Sequence, residues 1–477
     1  MTNTSSVATD EATLPPTRTL GRATVRFRRA ERYIKRKLAW GRVYRTTSYL
    51  KSSLWIVPFV AIALVLAIAP LLRVLDRALG WRLVDLEVSG AQALYQTVIT
   101  LTLSFLVFTF GNLLVAIQVA SGQLTPRIIA TALLRDNVVR YSVGLFVFTL
   151  IFAVSALNRL DKNVPELVAL VTVLLGIVCM AAFLFLIDYA ARLLRPVSIC
   201  ARIGNDGLGV IEDVYPELAP ESAHEAPGSP GPVDSAARIV THSGSSEIVL
   251  AVDLETLVAE AERWDGVVEF IPQVGDFVAY EEPLFALYGG AASIDDRRLR
   301  ATVAFGSERT LEQDPMFAFR ILVDIGLKAL SPAINDPTTG VLAIDQVHRL
   351  LRAIGKRQLH RDDITDDEGH VRVLFRTPNW DDYLHVGCNE IRTCGASNIQ
   401  IARRLRAMLD NLSASLPEER LPALNAERAR LDCAIESLYP IPGDLALARM
   451  PDSQGLGGSW GQRPATRRLV GDAAKRG

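Results

Sequence analysis

The densest group of side chains that could perform chemistry lies between residues 308 and 338. Carboxylates beside an arginine can act as general acids and bases or hold Mg²⁺, so this stretch predicts a binding or catalytic pocket. The candidate pocket residues are Arg309, Gln313, Asp314, Asp324, Asn335, Asp336 and Thr338. A second interpretation explains the stretch as a helical hairpin held by charge pairs, because Asp336 can cap a helix that begins at Pro337.

No motif for a particular reaction accompanies this group. The sequence contains no His-Glu-x-x-His motif, no phosphate-binding Walker loop and no cluster of four cysteines, which are patterns that define particular chemistries. Cys388 and Cys394, with His385 nearby, do not have the spacing of a zinc site. We therefore predict no catalytic residue, no metal and no cofactor, and we favour a non-catalytic function over an enzyme.

A second polar set occupies a stretch that is otherwise apolar. Its members are Thr97, Ser104, Gly111 and Gln118, which recur every seven residues. Positions seven apart share one face of a helix, so this span carries a stripe of small and polar residues. The stripe is typical either of a pore or substrate path or of close packing against a neighbouring helix.

The stripe lies in the second of four separated apolar stretches. They cover residues 54–72, 93–120, 138–157 and 167–187. A helix needs about 20 mainly apolar residues to cross a bilayer, and lipid accepts only helices or closed barrels. The sequence therefore predicts an integral membrane protein whose first partner is the lipid bilayer.

Charge predicts the orientation in the membrane. Twelve Lys and Arg residues lie between residues 18 and 51, and Arg192, Arg195 and Arg202 follow the fourth apolar stretch. Positive residues mark the cytoplasmic side, so we predict a multi-pass protein of the bacterial inner membrane with both termini in the cytoplasm. Residues 21–50 suit either an interfacial helix on anionic headgroups or a plain basic tail. Because the membrane explains this run, nucleic-acid binding is disfavoured.

The predicted fold class is an α-helical membrane domain of four transmembrane helices plus an α+β cytosolic C-terminal region. Residues 1–50 form a basic tail and residues 51–195 the membrane domain. A linker at 196–245, with five prolines at 216–236, precedes a small β-rich unit at 246–292. Residues 293–445 form a mainly helical domain, with a helix expected at 297–305 and one strand at 371–376. Residues 446–477 form a disordered tail. The alternating apolar runs and turn residues at 247–288 predict short strands with one helix between them.

Several segments resemble a known family. These are residues 116–121, 125–127, 275–278, 308–315 and 330–339, which are similar to the bacterial predicted membrane proteins of domain-of-unknown-function family 2254. The resemblance covers most of residues 50–440. It implies a multi-span membrane protein with a cytosolic C-terminal half, and it implies no activity.

Three functions compete at this point. The polar stripe favours an oligomeric channel or small-solute permeation unit, since four helices are few for a pore within one chain. The polar group at 308–338 favours a membrane-anchored sensor or scaffold that binds an unidentified ligand or partner. An enzyme would require several of the aspartates to converge with Arg309.

Overall fold

The computed structural model describes residues 56–79, 87–123, 136–160, 164–193, 195–219, 235–359 and 362–458. The basic tail at residues 1–50 and the segment at 125–127 lie outside these described residues, as does the end of the predicted C-terminal tail from residue 459 onward.

Four long apolar helices form the N-terminal part of the described chain. They are α1 (Ile56–Leu79), α2 (Val88–Gln123), α3 (Asn137–Leu157) and α4 (Glu166–Leu193). Each is long and apolar enough to cross a bilayer, which confirms the four predicted spans. Helix α2 has 36 residues, and at 1.5 Å per residue it is about 54 Å long, well beyond a hydrocarbon core of about 30 Å.

The interior of this bundle is mainly apolar. One cluster contains Val65, Tyr95 and Phe152, and a second contains Phe146 and Cys179. The helices approach closely where small residues permit it, since a Cβ at Gly144 would lie 2.4 Å from a methyl group of Val57. Small residues at such contacts are the usual means of packing helices in lipid, where there is little hydrophobic drive between helices.

A fifth helix, α5 (Pro196–Val214), follows the bundle directly. This corrects the predicted linker at 196–245. The helix begins at a proline, a favoured first position, and it buries Ile199, Ile203 and Ile211. Gly204 and Gly207 allow this helix to approach its neighbours closely. A Cβ at Gly207 would lie 2.8 Å from the Cβ of Ala318.

Helix α5 is fixed to the bundle by one buried carboxylate. Asp136 caps α3 by accepting the N–H groups of Val138 and Val139 at 2.9 and 3.2 Å. It also accepts the hydroxyl of Tyr189, near the end of α4, at 2.6 Å and the guanidinium of Arg202, on α5, at 2.8 Å. We call Asp136, Tyr189 and Arg202 the Asp136 joint, since it ties two spans to the helix that leaves the bundle.

The β lobe contains two sheets and two short helices. Its elements are β1 (Arg238–Thr241), β2 (Glu247–Val252), α6 (Leu254–Arg263), β3 (Gly266–Phe270), β4 (Phe277–Val278), β5 (Pro283–Gly289), α7 (Asp296–Ala301), β6 (Val303–Gly306), β7 (Asp363–Thr365) and β8 (Val371–Phe375). The strand orders are β1-β5-β3-β8-β7 and β4-β2-β6, and only β3 and β8 pair in parallel. Helix α6 packs on β3 and β8.

The β lobe is larger than the unit predicted at 246–292. The helix expected at 297–305 ends at Ala301, because residues 303–306 form β6 and pair with β2. Strands β7 and β8 come from the region predicted as mainly helical and return the chain to the first sheet. Strands β6 and β7 have four and three residues, which is too few for their hydrophobic pattern to identify them. The strand expected at 371–376 is confirmed as β8.

The remaining helices form the helical lobe. They are α8 (Pro315–Ala329), α9 (Pro337–Ile354), α10 (Trp380–Gly395), α11 (Ile399–Ser415), α12 (Leu421–Leu438) and α13 (Pro442–Ala448). Their shared core includes Phe319, Val347 and Met408, and α5 contributes Ile203 and Ile211 to it. Helix α5 is therefore part of the helical lobe as well as the extension of the bundle.

The predicted disordered tail at 446–477 is wrong for its first residues. Helix α13 extends to Ala448, and residues 449–458 pack against α11. Arg403, only 2% exposed, donates to the carbonyls of Met450, Gly457 and Gly458 at 3.1, 3.0 and 2.8 Å. A buried charge requires such partners, and here the C-terminal segment supplies them.

We expect Arg403→Met to release residues 449–458. The variant keeps the apolar stem but loses three charge-assisted hydrogen bonds, so the free energy of unfolding should fall by about 3 kcal/mol. Limited proteolysis should then cleave after Ala448, and Tm should fall. Arg428→Met is the control, because Arg428 forms a surface pair with Asp410 that is worth about 1 kcal/mol or less. Equal proteolysis of the two variants would contradict this role for Arg403.

Candidate functional site

The predicted pocket residues do not converge on one site. Asp314 lies at the start of α8, whereas Asn335, Asp336 and Thr338 lie beyond its end. Helix α8 has 15 residues and is therefore about 22 Å long. The structure thus divides the predicted pocket into two groups at opposite ends of one helix, with Asp324 between them.

The first group surrounds the start of α8. Asp314 caps the helix by accepting the N–H of Phe317 at 3.1 Å, and Arg309 donates to the same carboxylate at 2.8 and 2.9 Å. The guanidinium lies against Gly275, where a Cβ would be 1.9 Å from Arg309 Nη2. Gln313 accepts the N–H of Val252 at 3.0 Å. These contacts join the helical lobe to strand β2.

Burial raises the pKa of Asp314, although Arg309 and the N–H of Phe317 oppose the shift. Its carboxylate is 4% exposed and its hydrogen bonds are all internal. It serves as a helix cap and an ion-pair partner, which is the structural interpretation of this stretch.

The other pocket residues also have structural contacts. Asp324 accepts Arg320 at 2.5 Å, and Arg320 also donates to Glu390 on α10. Asp336 caps α9 by accepting the N–H and hydroxyl of Thr339 at 3.1 and 2.5 Å. Asn335 adopts φ 49°, a left-handed conformation that Asn tolerates better than most residues. Thr338 is exposed.

A large cavity lies between the two lobes. This cleft has a volume of about 790 Å³ and is bounded by the end of α5, one face of α6, residues 312–313, strand β7 with the turn after it, and the end of β8. Residues 254–262 and 363–377 form the β-lobe wall, and residues 213–215 with 312–313 form the opposite wall. Ligand cavities are common at such junctions between lobes.

The cleft is acidic. Seven of its 18 described lining residues are carboxylates, and none is Lys, Arg or His. The acidic residues are Asp213, Glu255, Glu262, Glu312, Asp363, Asp366 and Asp367. Arg372 donates to Asp366 at 2.8 Å and, with the N–H groups of His370 and Glu368, lowers the pKa of Asp366 to about 2. That carboxylate therefore stays charged at physiological pH.

Apolar side chains complete the cleft. Leu254, Val258 and Phe375 line it between the carboxylates, together with Val274 and Ile364. Within the described part of the chain, neither Glu255 nor Glu262 forms an ion pair. These two residues are seven apart on α6 and so share one face of that helix. The cleft therefore offers negative charge above an apolar floor.

The inner wall connects to a buried pair of phenols. Tyr215, directly after α5, lines the cleft, and its hydroxyl lies 3.2 Å from that of Tyr383 on α10. Burial raises the pKa of both phenols, so both stay protonated at neutral pH. The end of α5 is therefore positioned by the helical core on one side and exposed to the cleft on the other.

Sequence reasoning missed this cleft. Its walls come from five separated segments, and of the predicted pocket residues only Gln313 lines it. The one available signal was the run of acidic residues at 362–368, which by itself reads as a solvated turn. The two cysteines near His385 differ in exposure, since Cys388 is buried and Cys394 is exposed. The described residues contain no cluster of side chains suited to a metal ion.

The polar stripe of α2 faces away from its own bundle. Thr97, Ser104, Gly111 and Gln118 are all exposed, whereas Val98, Thr102 and Leu106 on the other side of the helix are buried. The hydroxyls of Thr97 and Ser104 donate to the carbonyls of Ala93 and Thr100, both at 2.8 Å. Packing inside one chain therefore does not account for the stripe.

The comparisons agree with a membrane protein of unknown function. The model of a family described as predicted membrane protein DUF2254 matches residues 51–411. Uncharacterised proteins of Mycobacterium bovis and Mycobacterium tuberculosis are each 27% identical over 383 residues, which is 77% of this chain and 72% of theirs. No solved structure matches significantly.

We expect the stability effect of Asp314 to depend on pH. The folded state holds the proton of Asp314 more tightly than the unfolded chain does, so stability falls as pH rises from the ordinary value of 3.8 through the raised pKa. The Asp314→Asn variant keeps the capping oxygen but cannot titrate. As pH rises over this window, the free energy of unfolding of the native protein should therefore fall relative to that of the variant. Thermal unfolding of both proteins across that range measures the difference.

Asp314→Ala should be less stable than Asp314→Asn by about 1 kcal/mol, because alanine cannot cap α8. Asp336→Asn, at the equivalent position of α9, controls for the loss of a capping carboxylate. If the difference between the native protein and Asp314→Asn did not change with pH, burial of the Asp314 charge would have no energetic consequence.

Proposed function

Since the chain belongs to the DUF2254 family of predicted membrane proteins, we propose that it is a membrane-anchored sensor whose C-terminal region binds a cationic ligand in the cleft between its two lobes. The observation that carries this proposal is the double role of α5. The C-terminal end of this helix contributes Asp213 and Val214 to the cleft, and its N-terminal half holds Arg202 in the Asp136 joint.

The size and the charge of the cleft support ligand binding. Small-molecule sites commonly measure about 300–1,000 Å³, and the cleft lies within this range. Its carboxylates favour a positively charged ligand, and the apolar floor favours one with methylene groups or other apolar parts. The paired Arg372 and Asp366 keep the turn after β7 in place, so part of the negative wall is formed before the ligand arrives.

Helix α5 provides the link to the membrane. It has 19 residues and is therefore about 28 Å long. It packs on α8 and α9, so the helical lobe supports it between its two ends. A ligand that favours one position of the end of α5 will favour the matching arrangement of Arg202 and Asp136, because a ligand shifts an equilibrium through its differential affinity for the two states.

The proposal includes the side of the membrane on which the C-terminal region lies. With four spans, residues before α1 and after α4 lie on the same side of the bilayer, and the basic run at 18–51 favours the cytoplasm for both. The sensor would then face the cytoplasm from the bacterial inner membrane.

Hydrogen exchange of the full-length protein tests the proposal, with spermine, a linear tetracation, as the probe. In nanodiscs of neutral phosphatidylcholine, spermine should slow exchange in α6, in the β7–β8 turn and at the end of α5. In Glu255→Lys/Glu262→Lys, affinity should fall at least about tenfold, since each reversal removes an attraction of about 1 kcal/mol in water.

The matched control is Glu418→Lys/Asp444→Lys, which reverses two exposed charges outside the cleft. This variant should bind spermine as the native protein does. Absence of protection in the native protein, or an equal loss in both double variants, would count against a cationic site in the cleft. Protection restricted to the cleft, with no change near Arg202, would remove the proposed link to the membrane.

The outward direction of the α2 stripe favours a second candidate function, an oligomeric permeation unit. Small and hydroxyl residues on a lipid-exposed helix face promote association with another helix. If copies of this chain associate through Thr97, Ser104 and Gly111, the stripe would line their shared interface or a central path.

Light scattering in detergent tests this candidate. We expect a homo-oligomer that dissociates to a lower mass in Ser104→Leu/Gly111→Leu, because the leucines prevent close approach of two α2 helices. Phe110→Leu is the control, since it lies about 100° around the helix from Gly111 and is also exposed. A monomer in the native protein would leave too few helices for an aqueous path.

A further inference from the structure

We propose that the occupant of the cleft is the basic N-terminal segment of the chain itself, residues 18–51, which an external cationic ligand must displace. This inference rests on the proposed function, because it names the first ligand of the same cleft.

The charges of the segment and of the cleft are complementary. The segment has twelve Lys and Arg residues and one acidic residue, Glu31. Of the 51 basic and 52 acidic residues of the chain, 12 and 3 precede residue 52, so the remainder holds 39 against 49 and has a net charge of −10. Within that remainder, the described walls of the cleft are lined by seven carboxylates and by no basic residue.

The segment and the cleft lie on the same side of the bilayer. The segment directly precedes α1, the cleft lies after α4, and there are four candidate spans between them. An even number of crossings returns the chain to the side on which it began. Tethering also raises the effective concentration of the segment at the cleft, which for short flexible links is in the millimolar range.

The chain is long enough for this contact. The cleft lies at the far end of α5, about 28 Å from the start of that helix. The 34 residues from 18 to 51 could extend over about 110 Å at 3.3 Å per residue. The extended segment can therefore span several times the length of α5.

The composition of the segment also matches the cleft. Phe27, Tyr33, Ile34 and Trp40 alternate with the basic residues, and the floor of the cleft is formed by Leu254, Val258 and Phe375 among others. A tract of basic residues alone would gain only screened charge attraction. Apolar side chains between the charges add burial to that attraction.

A photo-crosslinker at position 33 tests the docking in the full-length protein. With p-benzoylphenylalanine replacing Tyr33 in neutral phosphatidylcholine nanodiscs, mass spectrometry should find crosslinks to residues 254–262 and 363–377. The crosslinks should decrease in Glu255→Lys/Glu262→Lys and at high salt, and persist in Glu418→Lys/Asp444→Lys. Crosslinks to lipid alone, or to other parts of the protein in all variants, would overturn the proposal and identify the segment as a membrane-surface element.

A second variant separates this proposal from the proposed function. Replacing Arg26, Arg28, Arg29, Arg32 and Arg36 by Gln weakens the segment as a competitor, so the affinity of spermine for the cleft should rise at least about threefold, given a tethered competitor at millimolar effective concentration. Equal spermine affinity in the native and neutralised proteins would overturn the docking and leave the cationic cleft intact. Absence of spermine binding in both proteins would overturn both.

Discussion

The buried carboxylate of Asp136 is the interaction on which the relation between the membrane bundle and the rest of the protein depends. It caps α3, accepts the hydroxyl of Tyr189 and pairs with Arg202. A carboxylate that is 5% exposed must have its oxygens satisfied, because an unpaired buried charge is costly. Two spans and α5 are therefore held together by one side chain, and α5 leaves the bundle in a defined direction.

The second constraint is the close packing of α5 in the helical lobe. Gly207 allows the helix to approach Ala318, and Ile203 and Ile211 enter the same core as Phe319. Strands β7 and β8, which belong to the β lobe, interrupt the helices of this lobe in the sequence. The chain thus passes between the lobes more than once, and the cleft remains where their surfaces diverge beside the end of α5.

The residues that looked most like a pocket in the sequence have structural roles. Asp314 and Asp336 cap successive helices, and Arg309 contacts Gly275 across the junction of the lobes. Both interpretations of residues 308–338 were open because capping and ligand binding use the same polar side chains. The structure separates the set into two groups at opposite ends of α8. Only Gln313 takes part in both the junction and the cleft.

The sequence by itself determined the four apolar helices, the strands at 247–289 and most later helices, because each depends on local hydrophobic period and on caps or turns a few residues away. It did not identify α5 as a helix, since the role of Gly204 and Gly207 depends on neighbours more than 100 residues away. Only the tertiary structure decided the direction of the α2 stripe and the position of the acidic cleft. Both depend on which surfaces other segments of the chain cover, and the local sequence pattern does not indicate that long-range packing.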